Sequence, residues 1–163
     1  MRPLRVLRSS MPGVLFKNLL RGFFMRWMGL DVGQRRIGIA LSDPLEFFAQ
    51  GHSVLERHNT LARDLEILTE IIGAEMVEGI VIGLPKNLNG TEGIMAEKIR
   101  EFGGKLEQKS GLPIVFWDER LSTVAAERVL LEADLSRKKR KQKIDQVAAV
   151  LILQNYLDFR KRN

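Results

Sequence analysis

The hydrophobic period of this chain changes along its length, and each change predicts a different kind of element. Beyond residue 24, short apolar or alternating runs are separated by turn residues such as Gly33, which is typical of strands. We predict three strands in a meander, at residues 25–31, 36–42 and 48–56.

From Thr60 the pattern becomes helical, because apolar residues recur every three or four positions. They are Leu61, Leu65, Leu68 and Ile72. The later part of the chain is predicted to form a strand, a helix, a strand and two helices, at residues 78–85, 91–106, 112–119, 124–131 and 144–159. The order βββαβαβαα predicts an α/β fold with a mixed sheet flanked by helices.

Positive charge is concentrated in two segments. The 163 residues have a formal net charge of +6, and residues 1–24 contribute five basic residues and no acid. Residues 137–143 carry six cations, which we predict to form a basic loop before the last helix. A local basic patch favours attraction to a polyanion, although a solvated loop would have the same composition.

Residues 1–24 differ from the rest of the chain. Their apolar stretches are interrupted by Lys17, by Arg21 and by a Pro-Gly pair, unlike those of a secretory signal or a membrane span. We expect a disordered extension or an over-extended start, with a targeting or membrane-surface helix as the alternative, followed by one domain over residues 25–163. With no cysteine present, disulfides and zinc–thiolate sites are excluded. We expect a cytoplasmic protein with no membrane partner.

Two predicted strands end in acidic residues. Asp31 closes the first strand, and Asp118 and Glu119 close a later one. Because successive side chains alternate, Asp118 shares a side with Phe116, and Glu119 shares the other side with Trp117. Strand-end carboxylates can reach a cleft. The alternatives are a turn-forming aspartate at position 31 and a surface pair that caps the next helix.

Asp145 is predicted to lie on an inward helical face of small and apolar residues. That face comprises Ala148, Ala149, Ile152 and Tyr156. An unpaired carboxylate buried there would cost on the order of several kcal/mol, so a compensating cation is expected. The alternative is that Asp145 lies in the first helical turn and interacts only with the helix dipole.

Carboxylates on separate elements are typical of sites for hard divalent cations. Asp31, Asp145 and one of Asp118 or Glu119 form such a set. Mg²⁺ or Mn²⁺ binds a few carboxylate oxygens together with water and substrate phosphate, and two such ions promote phosphodiester cleavage. The pattern therefore predicts a metal-dependent hydrolase that needs no histidine as its base.

Basic and polar residues near these acids are candidates for contact with nucleic acid. The loop "GLPKNLNGTEG" follows a buried strand and opens a helix, so its backbone N–H groups and Lys86 could hold a phosphate. An ordinary turn there, and solvent exposure of the two arginines after Gly33, are the alternatives. The predicted contacts are Arg35, Arg36, Lys86, Asn87, Arg120, Arg137, Lys138, Lys139, Arg140, Lys141 and Lys143.

Four segments of the chain resemble the YqgF family. They are "GLDVGQRRIGIALSD", "VIGLPKNLNGTEG", "DERLSTVAAERVL" and "KIDQVAAVLILQNYL". Members of the family are described as candidate nucleases of precursor 16S ribosomal RNA and as Holliday junction resolvase-like proteins. The resemblance implies a ribonuclease H-like fold, and it implies that Asp31, Asp118, Glu119 and Asp145 are the catalytic and metal-binding acids.

The resemblance implies that the substrate is the 5′ end of precursor small-subunit ribosomal RNA. The alternatives are cleavage of branched DNA and a non-catalytic RNA-binding role in ribosome assembly, and a homodimer is left open. An actin-like ATPase is disfavoured, because such enzymes close two domains of this fold around the nucleotide. In related resolvases an acid follows the strand "GIVIGLP", whereas this chain has Leu84 and Pro85 there.

Overall fold

The computed structural model describes residues 25–118 and 137–162, with the side chains of the last helix described from Lys143 onward. The elements in these ranges are β1 (Arg26–Val32), β2 (Arg36–Ser42), β3 (Ala49–Glu56), α1 (Leu61–Ala74), β4 (Val77–Leu84), α2 (Ile94–Ser110), β5 (Ile114–Asp118) and α3 (Arg137–Arg162). The predicted helix at residues 124–131, together with Glu119 and Arg120, lies outside the described residues.

The five strands in the described ranges form one mixed sheet in the order β3-β2-β1-β4-β5. The first three pair antiparallel, and β1, β4 and β5 run parallel. The turn from β1 to β2 is closed by a 2.8 Å hydrogen bond from the Gly33 N–H to the Arg36 carbonyl. The predicted meander and the predicted α/β fold with a mixed sheet are both confirmed.

One face of the sheet packs against α1 and α2. Met28, Leu30, Ile39 and Ile80, which point to this face, are fully buried and pack together with Leu68 of α1. Each large aliphatic side chain buried in this way contributes roughly 1.5 to 3 kcal/mol. We call this group of side chains the first core.

The opposite face of the sheet packs against α3 and forms a second core. There Trp27 and Val81 pack with Ala149 and Leu153 of the helix. Gly29 of β1 has no side chain, and a Cβ atom at that position would lie 2.6 Å from the Leu153 Cβ and 2.8 Å from the Ala149 carbonyl oxygen. The backbone of α3 therefore lies directly on the strands.

The last helix is longer than the sequence predicted. It begins at Arg137 instead of residue 144, so residues 137–143 are helical and the predicted basic loop is wrong. Lys, Arg and Gln have high helix propensities, and no Gly or Pro interrupts the run before Ile144. The basic run is thus the amino-terminal part of a 26-residue helix.

The carboxyl end of α3 is fixed to the loop between β2 and β3. Arg160 pairs with Glu46 at 2.7 Å. The Gln154 side chain accepts a hydrogen bond from the Ala49 N–H at 2.8 Å and donates one to the Phe47 carbonyl at 3.0 Å. These contacts hold the helix at the edge of the sheet opposite the end of β1. None of the helices in the described ranges is long and apolar enough to cross a membrane.

Candidate active site

Residues from three strands meet at one edge of the sheet. Because β1, β4 and β5 are parallel, their carboxyl ends lie along the same edge. Asp31 is the second-last residue of β1, Asp118 ends β5, and the loop of residues 85–93 follows β4. The structure therefore places Asp31, Asp118 and this loop along one edge of the sheet.

Asp31 and Asp145 are neighbours because of Gly38. Asp31 and Gly38 are paired in the antiparallel ladder between β1 and β2. They therefore lie on the same face of the sheet, with Cα atoms roughly 5 Å apart. A Cβ atom at position 38 would overlap the backbone carbonyl of Asp145. The helix thus brings Asp145 onto β2 beside Asp31. The predicted inward face of the helix, which includes the buried Ala149 and Ile152, is confirmed.

Arg36 provides the positive charge that Asp145 was expected to need. Its Nε atom lies 3.0 Å from Oδ2 of Asp145, and the two side chains are 16% and 24% exposed. The sequence suggested contact with nucleic acid or solvent for Arg36, and it did not identify this ion pair. The available signal was its position two residues before Gly38, on the same face of β2. Arg35 is exposed.

The predicted alternation along β5 is confirmed. Ile114 and Phe116 pack against the first core, and Val115 and Trp117 pack against the second. Continued alternation places the Cβ of Asp118 on the side of the first core, whereas Asp31 and Asp145 belong to the α3 face.

The donor atoms of Asp31 and Asp145 fit a hard divalent cation. Carboxylate oxygens are the ligands that Mg²⁺ and Mn²⁺ prefer, and these ions complete their shells with water and phosphate. Within residues 25–118 and 143–162, no group of three metal-ligating side chains occurs. The two aspartates are therefore the part of the predicted metal set that the structure brings together.

A buried carboxylate that the sequence did not single out supports the turn between β1 and β2. Asp64 of α1 is 0% exposed and accepts hydrogen bonds from Arg57 Nε at 3.1 Å and from the His58 N–H at 2.8 Å. Arg57 in turn donates from Nη1 to the Gly33 carbonyl at 3.1 Å, and from its backbone N–H to the Arg35 carbonyl at 2.9 Å. This network connects α1 to the segment between Asp31 and Arg36.

Electrostatics favour the ionised form of Asp64. Burial by itself would raise the pKa of this carboxyl, but the hydrogen bonds from the His58 backbone and the Arg57 side chain outweigh it and hold the pKa below its usual range. The sequence signal for the network was an acid at the inward position three residues after Leu61. Both histidines lie away from the two aspartates, because His58 contacts Asp64 and His52 lies 3.7 Å from Glu75.

The loop of residues 85–93 uses several of its own polar groups. The N–H groups of Asn87, Gly90 and Thr91 are hydrogen-bonded to other atoms of the loop. The Asn87 side chain donates to the Thr91 hydroxyl at 2.9 Å. Because Thr91 takes part in this turn, α2 begins at Ile94, three residues later than predicted. These three N–H groups are thus engaged, and Lys86 remains the loop's candidate for contact with phosphate.

Within the basic run, the structure describes the side chain of Lys143, which is exposed two residues before Asp145. The side chains of Arg137, Lys138, Lys139, Arg140 and Lys141 lie outside those that the structure describes. Their helical backbone leads directly into the segment that packs beside Asp31.

Comparison with known proteins identifies the family. The model of the family described as "RuvX: Holliday junction resolvase" matches residues 25–159. The chain belongs to the RuvX family. RuvX and YqgF name one family, so the resemblance seen in the four sequence segments is confirmed.

Two bacterial relatives match most of the chain. Proteins named "Putative pre-16S rRNA nuclease" from Syntrophomonas wolfei and Moorella thermoacetica are each 58% identical to it over 134 residues. Each alignment covers 82% of this chain, and the alignments cover 94% and 95% of the two relatives.

Solved structures show the same fold. RuvC of T. thermophilus in complex with a Holliday junction substrate gives a TM-score of 0.55 at 16% identity, covering 84% of this chain and 96% of that one. The fowlpox virus resolvase with Holliday junction DNA gives 0.54 at 10% identity, covering 83% and 98%. The RuvX chain therefore has the RuvC-like ribonuclease H fold that the resemblance implied.

Proposed function

We propose that this RuvX protein is a divalent-metal-dependent nuclease that hydrolyses phosphodiester bonds at the 5′ end of precursor 16S ribosomal RNA. Residues 25–163 would form its nuclease domain. The observation that carries the proposal is the pair of aspartates, Asp31 and Asp145, held side by side at the edge where three parallel strands end. The names of the two bacterial relatives support the choice of substrate.

Each residue at the site has a role in this proposal. Asp31 and Asp145 bind the cation, which when bound supplies the charge that favours attack of water on the phosphate. Arg36 neutralises Asp145 before substrate arrives, and its planar guanidinium then offers paired donors to a phosphate. The cations of residues 137–143 bind the nucleic-acid backbone on the approach to Asp145.

We further propose Glu119 over Asp118 as the third acid. Asp31 and Asp145 lie on the α3 face of the sheet. Alternation along β5 directs the side chain of Asp118 to the opposite face. The same alternation in the sequence gives Glu119 the side of Trp117, which packs with α3. Comparing Mn²⁺ affinity in Glu119→Gln and Asp118→Asn tests this choice, because only the first variant is expected to bind Mn²⁺ more weakly.

The activity is tested by incubating a precursor 16S RNA and a four-way DNA junction with the protein in Mg²⁺, in Mn²⁺ and in EDTA. We expect metal-dependent cleavage of the RNA. Asp31→Asn and Asp145→Asn should reduce it by more than roughly 100-fold, the upper range for loss of an outer-shell partner of a metal. Glu107→Gln, an exposed acid of α2, is the matched control and should cleave normally.

The same experiment separates the competing functions. Cleavage of the junction alone would make the protein a DNA resolvase, the activity that the description of the RuvX family names. RNA that stays intact with every variant, yet is bound equally by wild type and Asp31→Asn, would instead indicate a non-catalytic assembly factor.

A further inference from the structure

A groove runs between α1 and α2 on the face of the sheet opposite α3. Its upper part is a cavity of about 410 Å³ lined by Gly33, Gln34, Arg57 and Lys98 above an apolar floor that includes Phe102. Its lower part is an open depression of about 550 Å³, which shares Leu61 with the cavity. We call these two adjacent spaces the α1–α2 groove.

Three lysines of α2 line this groove. Lys98, Lys105 and Lys109 are separated by seven and four residues, so they share one side of the helix. All three lysines are exposed, and Lys105 also pairs with Glu101 at 2.6 Å. The side chains that line the groove include these three lysines and Arg57 against a single acid, Glu101, so its net charge is positive.

The groove opens at the candidate active site. Val32, Gly33 and Gln34 line its upper end, and they directly follow Asp31 in the chain. A nucleic-acid strand that crosses the edge of the sheet at Asp31 would therefore enter the groove. The groove lies on the face of the sheet opposite the basic part of α3. The exposed Gln34 amide above an apolar floor gives the mixture of polar and apolar groups that is typical of a small-ligand pocket. The cavity volume also lies within the range of about 300 to 1,000 Å³ for such pockets.

We propose that the α1–α2 groove binds a single-stranded segment of the RNA substrate that extends past the cleavage site. Lys98, Lys105 and Lys109 contact successive phosphates, and the cavity beside Gln34 and Arg57 receives a base. Arginine guanidinium planes are usual stacking partners of unpaired RNA bases, and the partly exposed Arg57 guanidinium lies over the buried Phe102 ring, 5.7 Å from its centre. This inference rests on the proposed nuclease function, because it assigns the path of that substrate.

The test compares two pairs of substitutions that remove equal charge. Lys98→Gln/Lys109→Gln removes two exposed cations of the groove, and Lys161→Gln/Arg162→Gln removes two cations at the far edge of the sheet. Binding of a 20-nucleotide single-stranded RNA is measured in EDTA at several salt concentrations, so that no cleavage is required. We expect the slope of log K against log salt to become shallower by about 1.4 in the groove variant, at roughly 0.7 per phosphate contact, and to be unchanged in the control.

Cleavage kinetics provide the second readout. If the groove holds substrate away from the reacting phosphate, the groove variant raises KM several-fold and leaves kcat unchanged. Salt slopes that are equal in the groove variant and wild type would overturn the inference. A concentration-dependent dimer in sedimentation that the groove variant abolishes would overturn it too, because the groove would then be covered by a second copy.

Failure of this inference can be distinguished from failure of the proposed function. RNA binding with the expected groove dependence but without cleavage in any metal would refute the nuclease and leave the groove as an RNA site. Cleavage with no groove dependence would refute the groove alone. Wild-type protein that binds no RNA would refute both.

Discussion

The two faces of the sheet are packed by different means. On the α3 face, Gly29 and Gly38 let the helix backbone rest on the strands. On the other face, large side chains such as Leu68 hold α1 and α2 away from the sheet, and the α1–α2 groove remains between the helices. The two aspartates of the candidate site lie on the α3 face, where the helix backbone touches the strands, and the open groove lies on the other face.

The strongest test of this difference is a methyl group added to the α3 face. Gly38→Ala would place a Cβ atom on the Asp145 backbone, so we expect a loss of about 3 kcal/mol in the free energy of unfolding, the upper end for overpacking. Urea denaturation measures the loss. Cleavage of precursor RNA should fall as well, because Asp145 moves away from Asp31. Wild-type stability in this variant would show that α3 does not rest on β2.

On the other face, the corresponding test is the buried carboxylate of α1. Asp64→Asn removes the charge that holds Arg57, and we expect a loss of about 2 to 3 kcal/mol at pH 7, somewhat below the value for breaking a buried ion pair. Glu70→Gln, on the exposed side of the same helix, is the control and should be neutral.

The pH dependence of stability gives an independent check on Asp64. Because its pKa is lower in the folded protein, its contribution is fully present above the unfolded value of about 4 and is lost as the pH falls toward the folded pKa. In urea titrations between pH 7 and pH 3, the difference in free energy of unfolding between wild type and Asp64→Asn should therefore be constant at the neutral end and narrow as the pH falls below about 4. A constant difference across this range would contradict the assignment.

A smaller effect is expected from the ion pair on the α3 face. Arg36→Gln removes a cation 3.0 Å from Asp145, so Mn²⁺ should bind the RNA-free protein roughly tenfold more tightly, which corresponds to about 1.4 kcal/mol. Electron paramagnetic resonance of free Mn²⁺ measures this affinity. Arg35→Gln, one residue away and exposed, removes the same charge without the ion pair. An equal increase in Mn²⁺ affinity in both variants, or weaker Mn²⁺ binding in Arg36→Gln, would be evidence against the ion pair between Arg36 and Asp145.

The smallest effect is expected where a glycine meets no neighbour. Gly104 lies on the exposed side of α2, and a Cβ atom there would have nothing within 4 Å. Gly104→Ala should therefore stabilise the protein by about 0.5 to 1 kcal/mol, the difference in helix propensity. Thermal melts of the two variants provide the comparison. Relative to wild type, we expect Tm to rise in Gly104→Ala and to fall in Gly38→Ala.

Local patterns were sufficient to predict most of the fold. The alternation over residues 36–42 coincides with β2, and the helical spacing of Leu65, Leu68 and Ile72 identified the buried face of α1. Side-chain alternation also assigned Phe116 and Trp117 to opposite faces of β5. These features depend on neighbours in sequence, which a periodicity can reveal.

The features that the sequence did not predict depend on distant contacts. Arg36 and Asp145 are far apart in the chain, and only the docking of α3 on Gly38 brings them together. The link from Asp64 through Arg57 to the Gly33 carbonyl likewise joins separate segments. The helical start at Arg137 differs from the predicted loop because a run of charge is typical of solvated loops, whereas the helix propensity of its residues prevails here. Which of Asp118 and Glu119 binds metal stays a prediction.

The attachment of α3 at separate points along its length has a mechanical consequence. Arg160 pairs with Glu46 and Gln154 bonds to Ala49, and the helix rests on Gly38 at Asp145, about 22 Å from Arg160 along the helix axis. Sliding by a turn or rotating about the helix axis would break these side-chain bonds and the backbone contact at Gly38. The loss of conformational entropy that sets Asp145 beside Asp31 therefore occurs once, during folding, and is not repeated in each catalytic cycle.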